Sequence, residues 1–124
     1  MEPKNFLLAT LVGLAFAAPA WAHHTHAMYE PDQQITLNGT VKEFQWINPH
    51  SWLYLIVTNE NGETEEWALE ARAPFRLAEQ GWELDVIQPG DEISVTVRPL
   101  RRSARGGLLG TIRFPNGREF VDEN

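Results

Sequence analysis

The chain contains no cysteine among its 124 residues. No disulfide can brace it, and no thiolate can hold a metal. Positive charge is scarce: ten Lys and Arg stand against seventeen Asp and Glu, a formal net charge of −7. That balance argues against a nucleic-acid partner, which needs a basic face to neutralise phosphates. After residue 22 no apolar run approaches the roughly 20 residues of a bilayer-spanning helix, so no membrane span is expected there. There is no Gly-rich phosphate loop, no nucleophile beside a base, and no carboxylate pair at a telling spacing. An enzyme is therefore not the favoured reading, and redox chemistry would need bound copper. Histidine is rare too, four residues in all, yet three of them are His23, His24 and His26.

What is present begins with a secretory leader pattern over residues 1–22. Lys4 supplies a positive start, and Phe6 to Ala18 is almost wholly apolar but too short to span a bilayer. Ala20-Trp21-Ala22 has the small-x-small form of a cleavage site. A cut there makes His23 the first residue and leaves 102 residues, one small domain. Ala18-Pro19-Ala20 offers a second site, which would expose Trp21. A leader of this kind implies a periplasmic or secreted protein. With no cysteine after it, a lipoprotein anchor is not expected.

Residues 23–34 show no clear period and read as an extended His-rich arm; the domain proper is expected over 35–124. Ile35, Leu37, Gly39 and Val41 alternate with polar residues, a half-buried strand. Its phase then shifts to Phe44 and Trp46, which predicts a bend or bulge near Lys42-Glu43, eased by Gly39. Asn48-Pro49 marks a turn. Ser51 to Thr58 is apolar on both faces and reads as a central strand. Asn59 to Gly62 is a hairpin turn, followed by a strand from Thr64 to Glu70. Pro74 and Gly81 bracket a short helix, and Trp82, Leu84 and Ile87 continue an apolar lid. Pro89-Gly90-Asp91 turns into a strand marked by Ile93, Val95 and Val97. Arg101 to Gly107 reads as a loop, Leu108 to Phe114 as a fifth strand. Asn116-Gly117 is a last tight turn, from which Glu119 to Val121 pairs back.

Three strands, one short helix and two strands is the order of an OB-fold, a small Greek-key barrel. The bent first strand supports it, because that strand must serve both sheets. The fold class expected is all-β with one short helix, as an OB-fold-like five-stranded Greek-key barrel. An open sheet with a capping helix is the competing arrangement.

The chain also resembles the small exported bacterial proteins of the domain of unknown function 6152 family. The resemblance lies in the His-His start, Leu37-x-Gly39-Thr40-Val41, Trp46-x-Asn48-Pro49-His50 and Trp52. It continues through Trp67-x-x-Glu70, Gly81-Trp82, Pro89-Gly90-Asp91 and Pro115-Asn116-Gly117-Arg118. It implies an exported location and a fold rather than a chemistry. The family more often carries an aromatic near position 26, so the resemblance points to His24 and His50 more than to His26.

The histidines carry the chemical reading. Copper(II) prefers nitrogen ligands in a square-planar array. An N-terminal His supplies its amine and its imidazole together, and one further His completes three nitrogens, as in the histidine brace of copper enzymes. Cleavage after Ala22 makes His23 that terminus, with His50 as the third ligand. Cleavage after Ala20 makes His23 the third residue, and amine, amides and imidazole then form another tight site. The candidate metal ligands are thus His23, His24, His26 and His50, with Glu70 as an acceptor orienting a histidine. Against this stands an unspecific His-rich tail, with His50 capping a turn and Glu70 favoured by the helix start.

A second reading is a metal-free OB-type binding module. Arg98, Arg101, Arg102 and Arg105 are four of the nine basic residues after position 22. With Trp46 and Trp52 they would bind a small anionic ligand, a polymer, a peptide or a protein partner across the barrel face. Here Trp46, Trp52, Arg101, Arg102 and Arg105 are the candidate contacts. The plain alternative is that the tryptophans fill the core and the arginines belong to a solvated loop.

Overall fold

The computed structural model describes residues 28–102 and 104–122. Residues 1–22, where a leader is expected, and residues 23–27 lie outside the described residues. The first strand, β1 (Ile35–Gln45), carries the expected irregularity: its register against the next strand shifts between Val41 and Glu43. Before the shift it pairs β4 (Glu92–Pro99) as well as β2 (Ser51–Thr58); after it, β2 alone. Gly39 matters here for close approach. A Cβ at that position would run into the Ile56 carbonyl and lie 2.8 Å from Leu55 Cγ.

β2 is central, flanked by β1 and by β3 (Thr64–Ala71). Its alternate residues Ser51, Leu53, Leu55 and Val57 are buried, while Trp52, Tyr54 and Ile56 are half-buried on the outer face. The β2–β3 turn is set by Asn59, whose Oδ1 accepts from the amides of Asn61 (2.9 Å) and Glu63 (3.0 Å). Gly62 supplies the positive φ that the turn requires.

β5 (Gly106–Arg113) pairs antiparallel with β4 and, over Ala68 to Glu70, parallel with β3. That parallel pairing closes the sheet into a five-stranded barrel of the OB type. β6 (Glu119–Val121) then pairs the far end of β5. Strand β5 begins within the segment that reads as loop. Gly106 and Gly107 carry no side chain to mark a period, but a Cβ on Gly107 would collide with Val97 and the Arg98 carbonyl.

The core is aliphatic, with Leu53, Leu55, Leu69 and Ile112 among its buried residues. The helix α1 (Pro74–Glu79) contributes Leu77, and Trp82 and Ile87 follow it inward. Leu84, expected in that lid, is 67% exposed. The segment Trp82 to Ile87 makes no helix or strand, so no alternation sends position 84 inward. Trp82 Nε1–H donates to the Val121 carbonyl at 3.0 Å and ties this end to β6. Asp122, buried, accepts from the Arg72 amide (2.9 Å) and Arg72 Nε (2.7 Å).

Candidate functional site

In the β2–β3 register Glu70 stands opposite Trp52, so both project from the outer face of the barrel. Glu70 is nevertheless buried. Two neighbours account for this. His50, which ends the β1–β2 connection, places Nδ1 2.5 Å from Glu70 Oε1. Tyr29, from the segment before β1, donates its O–H to Glu70 Oε2. One carboxylate thus takes the Tyr29 hydroxyl on one oxygen and has the His50 ring nitrogen beside the other, 41 and 20 residues away in the chain.

Tyr29 is 3% exposed, the most buried feature of a segment whose sequence shows no period. It forms an antiparallel bridge with Leu100. Glu30 N–H donates to the Pro99 carbonyl at 2.9 Å, and Arg101 N–H to the Met28 carbonyl at 2.9 Å. Arg101 Nε–H donates to the Tyr29 carbonyl at 3.0 Å. Gly106 permits this layer, because a Cβ there would lie 2.8 Å from Leu100 Cδ1. Burial, and then the bond to Glu70 and its charge, push the Tyr29 phenol well above its ordinary ionisation range.

The imidazole of His50 remains 40% exposed. With Nδ1 beside Glu70 Oε1, its Nε2 is the nitrogen left for a ligand. The cis Asn48-Pro49 bond lies in the connection that delivers it. Among the described residues no three His, Asp or Glu side chains come together as a metal-holding group. His23, His24 and His26 lie outside the described residues.

The aromatic and arginine candidates are dispersed. Trp46 packs edge-on to Phe44 (5.9 Å between ring centres), which in turn lies tilted against Trp82 with 6.2 Å between ring centres. Trp46 is thereby partly buried against the core. Trp52 faces outward in the row of Glu70. Arg101 is engaged with the Tyr29 carbonyl, and Arg105 lies 3.4 Å from Glu65. Arg102 is exposed. Tyr29 is the site residue that sequence reasoning missed, since nothing around it alternates.

The family comparison bears on this constellation. Residues 11–111 match a family of unknown function (DUF6152). The chain belongs to that family. No curated protein and no solved structure matches it. The matched DUF6152 span contains His23, His24, Tyr29, His50 and Glu70, so the described constellation and the His-rich segment upstream lie within one family unit.

Proposed function

We propose that this is an exported, periplasmic metal-binding accessory protein that takes copper(II) between its His-rich mature start and His50. The observation that supports the reading is the His50–Glu70–Tyr29 constellation. Glu70 orients the imidazole of His50 and anchors Tyr29, and Tyr29 stands three residues after His26. Six residues from His23 to Tyr29 span at most about 22 Å, ample for an upstream histidine to meet His50. In this reading His23 gives amine and imidazole nitrogens, His50 gives Nε2, and His24 or His26 completes the set. Glu70 holds the His50 tautomer.

Copper(II) titration of the processed chain, with its start read by intact mass, tests the reading. One copper per chain with nitrogen-dominated EPR hyperfine structure is expected. Affinity should fall as pH drops below about 6, because imidazole must be unprotonated to bind. An affinity no greater than that of a His-His-Thr-His tetrapeptide overturns it.

One observation favours the metal-free alternative. A groove of about 610 Å³ runs between the segment before β1, the start of β3 and the β4–β5 loop, lined by Trp67, Arg101 and Arg105 among others. The buried Trp67 Nε1–H has no acceptor among the described residues. A binding module would use this groove for an anionic group, and would not depend on His50.

A further inference from the structure

We infer that the mouth of the barrel beside Trp67 binds a small organic monocarboxylate. The inference rests on the binding-module reading, is independent of copper, and names the ligand class that groove takes. Its geometry follows from the strand registers. Trp67 and Glu65 stand opposite Leu55 and Val57, and Ile35 stands opposite Val97. Those three partners are buried, so Trp67, Glu65 and Ile35 belong to the inner face of the barrel. β3 and β5 pair only from Ala68 to Glu70. Beyond Ala68, whose N–H donates to the Arg105 carbonyl at 3.1 Å, the two strands part. The groove of about 610 Å³ lies in that gap. It is an opening at one end of the barrel, a place where barrels commonly hold ligands.

The lining sets the ligand's chemistry. Ile35, Trp67 and Leu100 give it apolar walls, and Trp67 is packed against the core, so its ring is held in place. Trp67 Nε1–H is a buried donor without an acceptor among the described residues. Such a donor destabilises the fold until something accepts from it. Arg105 supplies a cation at the rim. Its guanidinium lies 3.4 Å from Glu65 and is 59% exposed, and a pair so loose and solvated contributes little. Glu65 Oε1 also accepts from Asn59 Nδ2 at 3.2 Å, so it keeps a partner when Arg105 turns away. An entering carboxylate takes one hydrogen bond from Arg105 and one from Trp67 Nε1, which is covered until a rim side chain moves aside. The ligand's apolar body then rests on Ile35 and Leu100. Arg101 and Arg105 face Glu30 and Glu65 across this lining. That balance suits a single negative charge and disfavours a dianion, which would meet uncompensated carboxylates.

The test titrates the full chain with benzoate, its neutral isostere benzamide, and sulfate. The indole N–H resonances are followed by NMR, with Trp67 assigned from the Trp67→Phe variant. Benzoate should move the Trp67 Nε1–H resonance downfield in a saturable way, and benzamide and sulfate should bind at least about tenfold more weakly, having lost the charge or the apolar body. Arg105→Gln and Trp67→Phe should each weaken benzoate about tenfold, the loss of one hydrogen bond to a charged group. Glu65→Gln should tighten it, because Arg105 then has no competing carboxylate. Arg105 is an exposed side chain, so Arg105→Gln serves if Trp67→Phe fails to fold. Benzamide binding as tightly as benzoate at Trp67, or sulfate doing so, overturns the monocarboxylate and spares the groove as a binding site. Benzoate binding that neither Arg105→Gln nor Trp67→Phe weakens lies elsewhere and overturns the assignment. A Trp67 resonance that none of the three probes moves overturns the assignment and the binding-module reading together.

Discussion

Glu70 faces outward beside Trp52 in the β2–β3 register, yet Tyr29 and His50 close over it, one on each carboxylate oxygen. A carboxylate on an outer strand face is ordinarily solvated. Burying it costs several kcal/mol unless donors replace the lost water. Here both neighbours, the Tyr29 hydroxyl and the His50 ring, come from connecting segments, the stretch before β1 and the β1–β2 turn. The barrel therefore carries a polar cluster at the face where OB-folds place ligands, between the loops joining β1 to β2 and β4 to β5.

The first prediction concerns pH. The Tyr29 phenol ionises in the fold at higher pH than in the unfolded chain, where the ordinary value is about 10. The folded state therefore holds the proton more tightly. The stability this contributes is fully present below about pH 10 and is lost as pH rises above it towards the folded value. Thermal midpoints measured between pH 8 and 11 should fall more steeply for the native chain than for Tyr29→Phe. Parallel curves would show that the phenol is not held as described.

A second prediction concerns β5. Gly106→Val puts a branched side chain where Leu100 Cδ1 lies, with the Ala68 carbonyl close behind. Overpacking of this kind costs about 1–3 kcal/mol. It should also displace the Leu100–Tyr29 bridge, so Glu30 amide exchange should rise by more than the loss of global stability explains. An unaltered exchange profile would count against the packing of the bridge on Gly106.

Much of this architecture was legible in the residues, for definite reasons. Alternation exposed β1 and β4, a run apolar on both faces exposed β2, and the change of phase after Val41 marked the bulge that lets β1 serve two partners. Turn chemistry exposed Gly62, Gly90 and Gly117, each at positive φ in the structure. What stayed hidden has no local signature. Gly106 and Gly107 are strand because they pair with Ala68, Leu69 and Pro99, and they are glycine because Leu100, Val97 and the Arg98 carbonyl leave no room for a Cβ. Tyr29 is buried by Leu100, 71 positions away in the sequence, and Asp122 by Arg72. Leu84 is apolar in a segment without period and faces solvent. For the site, the Asn-Pro-His turn and Glu70 stood out as residue types, but their meeting follows from the β2–β3 register and the end of β1 together.

The third prediction tests the central strand. Leu55 is fully buried between Val41 and Trp67 in register. Leu55→Ala should cost roughly 2–5 kcal/mol in denaturant unfolding. Gly39→Ala should also destabilise, by about 1–3 kcal/mol, because its Cβ meets the Ile56 backbone, which cannot swing aside, as well as the buried Leu55 side chain. A cost below roughly 0.5 kcal/mol for Leu55→Ala would remove β2 from the core.

The last prediction separates the two functional readings. His50 is 40% exposed, so His50→Ala leaves no cavity in the core. It does remove the Nδ1 contact from Oε1 of a buried carboxylate, which costs about 1–3 kcal/mol where water cannot fully replace it. A modest drop in thermal midpoint is therefore expected. In the metal reading copper(II) affinity should fall while the unfolding transition stays cooperative, and the Arg102→Ala, Arg105→Ala double change should leave affinity unaltered. In the binding-module reading that double change removes Arg105, whose charge lines the groove beside Trp67, and binding of an anionic partner is weakened with His50 indifferent. Glu70→Gln sharpens the comparison. It keeps the volume and an oxygen acceptor for one neighbour but removes the charge that holds the imidazole tautomer. Copper affinity should then drop in parallel with His50→Ala. If His50→Ala instead unfolds the chain, and copper affinity tracks the unfolded fraction, His50 serves the β1–β2 turn and the metal site reduces to the N-terminal histidines alone.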